Sequence, residues 1–108
     1  MAARLSAGML VSALIRRIEA AGGSAMVLAR GDPTAGSLLI QLAARGVAGD
    51  LLERALDPTG TYRWVAAGPA DPGQRDAYVA RRRQSDPDLW VIELDADDAR
   101  AIVGEVAG

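Results

Sequence analysis

The chain has no histidine, cysteine, lysine, asparagine or phenylalanine. Each of these absences closes a class of chemistry or structure. Without histidine and cysteine there is no imidazole base, no thiol nucleophile and no zinc site made from the usual ligands. Without lysine there is no Schiff base and no P-loop lysine. Disulfides are impossible, so the chain is silent on redox compartment. Aromatic residues make up only 4%, so the core must be built from Leu, Val, Ile and Ala. Catalysis would have to rely on Asp, Glu, Ser, Thr, Tyr, Arg or a hard cation.

What is present suits one small domain. The 108 residues are 50% apolar and 24% charged, an ordinary globular balance for a domain that needs no disulfide or metal to hold it. All 12 basic residues are arginine, yet the net charge is −2, which argues against a protein that coats nucleic acid. Leu5 to Ile15 is apolar enough to resemble the core of a signal peptide. Arg16, Arg17 and Glu19 continue the same period, which suits an amphipathic helix better. The run is also well short of the roughly 20 apolar residues that span a bilayer. The expectation is a soluble cytoplasmic protein.

Periodicity places the elements. Leu10, Leu14, Ile18 and Ala21 lie at helical spacing, which predicts a helix over 9–21 stopped by Gly22-Gly23. Ser24–Arg30 and Ser37–Ala43 read as strands joined by the turn-rich Gly31–Gly36 segment, an expected antiparallel hairpin. Gly46 to Asp50 reads as a break. Leu51–Leu56 and Thr61–Ala66 form a second expected hairpin around Asp57-Pro58-Thr59-Gly60, a type I turn pattern. Asp71-Pro72 opens a second helix that ends near Ser85, because Pro87 forces Asp86 out of the helical region. Leu89–Leu94 is the last strand, and Asp95 is expected to cap a terminal helix carrying Ala99, Ile102 and Val103. The pattern predicts an α+β domain over 1–108. Its sheet is mainly antiparallel, with about five strands in two hairpins plus a C-terminal strand, and its helices lie on one face.

Three blocks carry a family resemblance: Met9–Arg17, Gly31–Gly36, and Arg82-Arg83-Gln84-Ser85-Asp86-Pro87-Asp88-Leu89-Trp90-Val91-Ile92-Glu93-Leu94. Together they resemble a bacterial family classed as domain of unknown function 1491. The resemblance runs from the first helix through the last strand. It implies one compact domain and transfers no activity or catalytic residue.

Candidate binding residues concentrate near the last of these blocks. Arg81, Arg82 and Arg83 suit bidentate recognition of phosphate or carboxylate. They equally suit the end of a helix, where a cation complements the macrodipole by ~0.3–1 kcal/mol. Arg82 follows Tyr78 by four residues and Arg81 by three, so one of them continues the core-facing stripe and needs a carboxylate partner. Glu93 is the expected partner, since alternation puts Leu89, Val91, Glu93 and Asp95 on one face. Asp86 and Asp88 have oxygens for a hard cation, but such a run is more often a helix stop and turn. Asp32 sits at a usual turn position, in a loop where binding contacts are often found. Trp64 and Trp90 suit either stacking on single-stranded nucleic acid or anchoring a core. Arg16 and Arg17, about 100° apart on a helix, read as a solvated face or as half of a joint patch with Arg81 and Arg83.

The reading that follows is a non-enzymatic interaction module that binds a protein partner or itself, without cofactor, metal or membrane. Its alternatives are a nucleic-acid or phosphate binder using the arginines, and a cation-dependent enzyme built on Asp86, Asp88 and Glu93.

Overall fold

Two stretches of this chain are apolar on both faces, and the sheet is assembled around them. They are Leu38–Ala44 and Trp90–Asp95, β2 and β5 of the computed structural model, which describes residues 5–108. The full order is α1 (Ala7–Ala20), β1 (Ser24–Ala29), β2, β3 (Val47–Leu56), β4 (Tyr62–Ala66), a 3-10 turn (Pro72–Gln74), α2 (Arg75–Ser85), β5 and α3 (Ala99–Ala107). The strands form one sheet in the order β1-β5-β2-β3-β4. β5 pairs antiparallel with β1 and parallel with β2, while β2-β3-β4 is an antiparallel meander. The α+β class and the five strands are as the sequence predicts.

The pairing differs at one place. β1 and β2 do not form a hairpin, because β5 lies between them and pairs with both. A strand with Trp90, Ile92 and Leu94 on one side and Val91 on the other must be covered on both faces, and strands buried this way sit centrally. The helices are accordingly divided rather than stacked on one face. α1 and α3 cover the face built from Leu38, Ile40, Leu42, Leu52, Trp90, Ile92 and Leu94. α2 covers part of the other face, where Tyr78 and Val79 pack on Leu39, Leu51, Leu89 and Val91.

Local chemistry explains the boundaries. Ser6 caps α1 by accepting from the Met9 N–H at 3.3 Å, and Ala7, Val11, Leu14 and Ile18 form its buried stripe. Gly22, at φ 86°, takes the left-handed position that ends the helix. The expected break at 46–50 is instead a turn of two residues. Arg45 and Gly46 both have positive φ, 52° and 78°, the pattern of the tight hairpin turn that matches sheet twist. β3 therefore begins at Val47. Asp95 does not cap α3; Asp98 holds that position. The Asp95 carboxylate instead accepts from the Arg45 and Gly46 N–H groups, each at 2.9 Å. Asp71 does cap the 3-10 turn, accepting from the Gly73 N–H.

Candidate functional site

The blocks that carry the resemblance meet in space. The Gly31–Gly36 loop runs from the end of β1 to the start of β2 across the start of β5. Asp32 N–H donates to the Asp88 carbonyl at 2.9 Å, and Trp90 N–H donates to the Ser37 carbonyl at 2.8 Å. The Trp90 indole N–H donates to the Asp32 carbonyl at 2.7 Å. The other side of the loop holds α1: Ala7 and Gly8 N–H groups donate to the Thr34 and Pro33 carbonyls. Gly31 and Gly36 permit this contact. A Cβ on Gly31 would lie 2.0 Å from the Asp88 oxygen, and one on Gly36 would lie 2.3 Å from it. The conspicuous glycines, the Asp-Pro-Asp turn and Trp90 thus lock loop, helix and central strand together.

This arrangement decides between several sequence readings. Trp90 is 3% exposed, so its ring belongs to the core and offers no free stacking platform. The Asp32 carboxylate accepts from the Thr34 and Ala35 N–H groups, and Asp86 accepts from the Asp88 N–H. Both close their own turns. Asp86, Asp88 and Glu93 do not converge: the first two lie in the turn before β5, and Glu93 lies on the strand between Gln41 and Met26.

The arginines separate in the same way. Arg82 is paired, but with Glu53 rather than Glu93. Its guanidinium donates to the Glu53 carboxylate at 2.6 Å and to the Tyr78 hydroxyl at 2.8 Å. Burial pushes the Arg82 pKa down, and the hydrogen bonds it donates to Glu53 and Tyr78 outweigh it, so the net shift is upward. The sheet order gives the reason. α2 packs over β2, β3 and the start of β5, and Glu53 is level with Leu39 and Val91. Glu93 is two strands away and two residues along, on the order of 10 Å laterally at ordinary strand spacing. Among the described residues the Glu93 carboxylate makes no hydrogen bond or ion pair, its main chain being paired between β1 and β2. Arg83 reaches the Arg30 carbonyl at 3.5 Å, and its Nε is buried without a partner. Arg81 is exposed. Arg17 pairs with Glu105 of α3, and Arg16 is exposed beside it. Since α1 and α2 lie on opposite faces, Arg16 and Arg17 do not share a patch with Arg81 and Arg83.

A further arginine, Arg75, is the one charged residue buried among the described residues. It donates to the carbonyls of Gly49, Pro69 and Ala70 and to the Gln41 side chain. It fastens α2 to the sheet, a role its sequence position does not announce. A cleft of about 1020 Å³ opens beyond the other end of α2, between α1, α3, β3 and β4. Several of its polar members are engaged, Glu53 with Arg82 and Glu105 with Arg17, while the buried Trp64 indole N–H has no partner among the described residues. Arg54 donates to the Ala107 carbonyl and lies 5.6 Å from the ring centres of both Tyr62 and Trp64.

The surface left unoccupied is the outer edge of β1. Its residues, Ser24-Ala-Met-Val-Leu-Ala29, carry no charge. Met26, Val27 and Leu28 are 58%, 37% and 52% exposed. Met26 and Val27 face opposite sides of the sheet, and Leu28 is the extra residue of a bulge against β5. An unguarded edge of this kind is a template for another strand. The opposite edge, β4, carries Arg63, held by the Asp57 carboxylate at 2.7 Å. Sequence reasoning placed Met26, Val27 and Leu28 on a strand but made none of them a site residue. Their signal was a strand with apolar residues on both faces and too little chain nearby to bury both.

A five-stranded mixed sheet with two helices on one face and one on the other, closed by the loop-to-tryptophan lock, defines the class of domain. The model for the DUF1491 family, proteins of unknown function, matches residues 5–104, and the chain belongs to that family. Solved relatives share the fold. The crystal structure of a DUF1491 family protein from Caulobacter crescentus CB15 is 34% identical, with 92% of this chain and 94% of that one covered and a TM-score of 0.79. An NMR structure of a DUF1491 family protein from the same organism is 35% identical, with 94% of each chain covered and a TM-score of 0.77. The solution structure of protein Atu0922 from A. tumefaciens is 32% identical, with 88% of each chain covered and a TM-score of 0.70. None of the curated proteins compared with the chain matches it.

Proposed function

We propose that the protein is a non-enzymatic interaction module whose contact surface is the open edge of β1. The observation that carries this reading is the contrast between the two sheet edges. One is uncharged and apolar on both sides, and the other is guarded by a charged residue. Exposed apolar side chains flanking a free strand are what a paired strand would cover, with main-chain hydrogen bonds giving affinity and side-chain pockets giving selectivity. The bulge at Leu28 limits regular pairing to Ser24–Val27, short enough to favour a discrete contact over runaway strand stacking.

The chemistry elsewhere supports the same reading. Asp32, Asp57, Asp86 and Asp95 are occupied in turns, and Arg75 and Arg82 in packing. The reading places the module in the cytoplasm. No helix among the described residues is long and apolar enough to cross a membrane, and Leu5–Ile15 contributes buried residues to the core.

The test is a double variant, Met26→Lys/Leu28→Lys, which leaves the buried residues untouched. Tagged wild type and variant are compared by quantitative mass spectrometry after capture from native lysate. Specific partners, further copies of the chain included, should fall at least tenfold, corresponding to about 1.4 kcal/mol of lost contact. An unchanged set of partners on a variant of unchanged stability contradicts the reading.

A further inference from the structure

We infer that the occupant of the β1 edge is a second copy of the same chain, paired antiparallel about a two-fold axis. The inference rests on the edge reading above and names its partner. Two-fold pairing sets the start of β1 in one copy against its end in the other, as every isologous contact does. The two ends of this strand are chemically opposite. At its end, the exposed Arg30 has its guanidinium 5.6 Å from the centre of the Trp90 ring and no carboxylate partner among the described residues, and Arg83 donates to its carbonyl. At its start, a concavity of about 600 Å³ is lined by Gly22, Gly23 and Ser24 together with Asp95, Asp97 and Asp98. The only basic residue lining that concavity is Arg45, which pairs with Asp97.

Reversing one copy therefore brings Arg30 to the acidic concavity of the other, and does so twice. Between these ends the strand is uncharged, so identical copies meet without like charges opposed. Met26 and Val27 then extend both apolar faces of the sheet across the axis. A contact made by one short strand and its two ends belongs to the weak class of interfaces, so the dimer should be concentration-dependent.

The experiment uses the whole chain. Sedimentation equilibrium from about 1 µM to 1 mM should show the mass rising toward twice the 11.2 kDa of one chain. Arg30→Glu should raise the dissociation constant at least tenfold, and adding Asp97→Arg/Asp98→Arg should restore association. Because the natural chain has no cysteine, single substitutions at Ser24, Ala25, Met26 and Val27 report geometry directly. Opposed strand positions lie ~4.5–5.5 Å apart, within disulfide reach, so only the position nearest the axis should cross-link to its own copy. Ala66→Cys on β4 should not. Rescue by the charge swap together with position-selective cross-linking supports the inference. A wild type that stays monomeric to 1 mM overturns it, and the edge reading survives if Met26→Lys/Leu28→Lys still abolishes capture of another protein. A dimer indifferent to every β1 substitution also overturns the inference, and the edge reading falls with it if Met26→Lys/Leu28→Lys leaves capture unchanged.

Discussion

Replacing Gly31 with alanine adds one methyl group and should nonetheless be among the most damaging single changes available to this fold. The new Cβ would sit 2.0 Å from the Asp88 oxygen, 2.7 Å from the Leu89 carbonyl carbon and 2.7 Å from Trp90 Cδ1. Two of these neighbours are main chain, so the loop must move by about 1.5 Å to reach an ordinary contact distance of ~3.5 Å. That movement strains two bonds, Asp32 N–H to Asp88 and the Trp90 indole to Asp32. Overpacking costs ~1–3 kcal/mol, and each weakened hydrogen bond adds ~0.5–1.5 kcal/mol. The expected loss is about 2–6 kcal/mol, or a fall in melting temperature of roughly 8–24 °C at ~4 °C per kcal/mol. Urea unfolding followed by tryptophan fluorescence measures it. Gly104→Ala is the control, because nothing lies within 4 Å of a Cβ there and the site is inside α3. The same substitution should stabilise by ~0.4–1 kcal/mol at that position. The reasoning is refuted if Gly31→Ala unfolds within about 0.5 kcal/mol of wild type, the ordinary range for an uninvolved surface change.

Two further outcomes follow from the side-chain geometry. A double-mutant cycle on Arg82→Ala and Glu53→Ala should give a coupling energy of about 1–2 kcal/mol, between exposed pairs and charged hydrogen bonds, whereas Arg82→Ala with Glu93→Ala should couple by less than ~0.5 kcal/mol; the reverse ranking would mean that α2 lies over the wrong strands. Asp57, held by the Thr59 hydroxyl, Arg63 and the Thr61 N–H, has its pKa lowered from 3.8 to about 2. A depressed carboxyl pKa stabilises the fold above the unfolded value and loses that contribution as pH falls through the folded one, so the wild type should lose more stability than Asp57→Asn between about pH 4 and pH 2, and parallel urea midpoints across that window would argue against the Asp57 contacts.

Local signals in the sequence located the elements well and said little about which strands meet. Caps and stops depend on a few neighbouring residues, and Gly22, Asp71 and Asp86-Pro87 act where the chain places them. Alternation likewise put Glu93 on the face of Val91, where it is found. The hairpin expected for β1 and β2 followed from proximity in the chain, and the real partner of both is more than 45 residues further on. A clue was present: Leu38–Ala43 and Leu89–Leu94 are apolar on both faces, so they need cover above and below and belong at the centre. Misplacing β5 also misassigned the Arg82 partner, because the correct carboxylate lay on a strand whose position depended on that order. Asp95 shows the same limit. Its spacing before a terminal helix suggested a cap, while its carboxylate serves a turn 50 residues earlier that only the parallel β2–β5 pairing brings near.

The central position of β5 also bears on how the chain is made. Synthesis proceeds from the N-terminus at ~5–20 residues per second, and β1 emerges roughly 60 residues ahead of the strand it must pair with. Until residues 90–95 leave the ribosome, β2-β3-β4 can form as a meander, but α1 and β1 have no strand to join them to it. The nascent chain thus spends several seconds with β1 unattached, until β5 arrives as the keystone between β1 and β2.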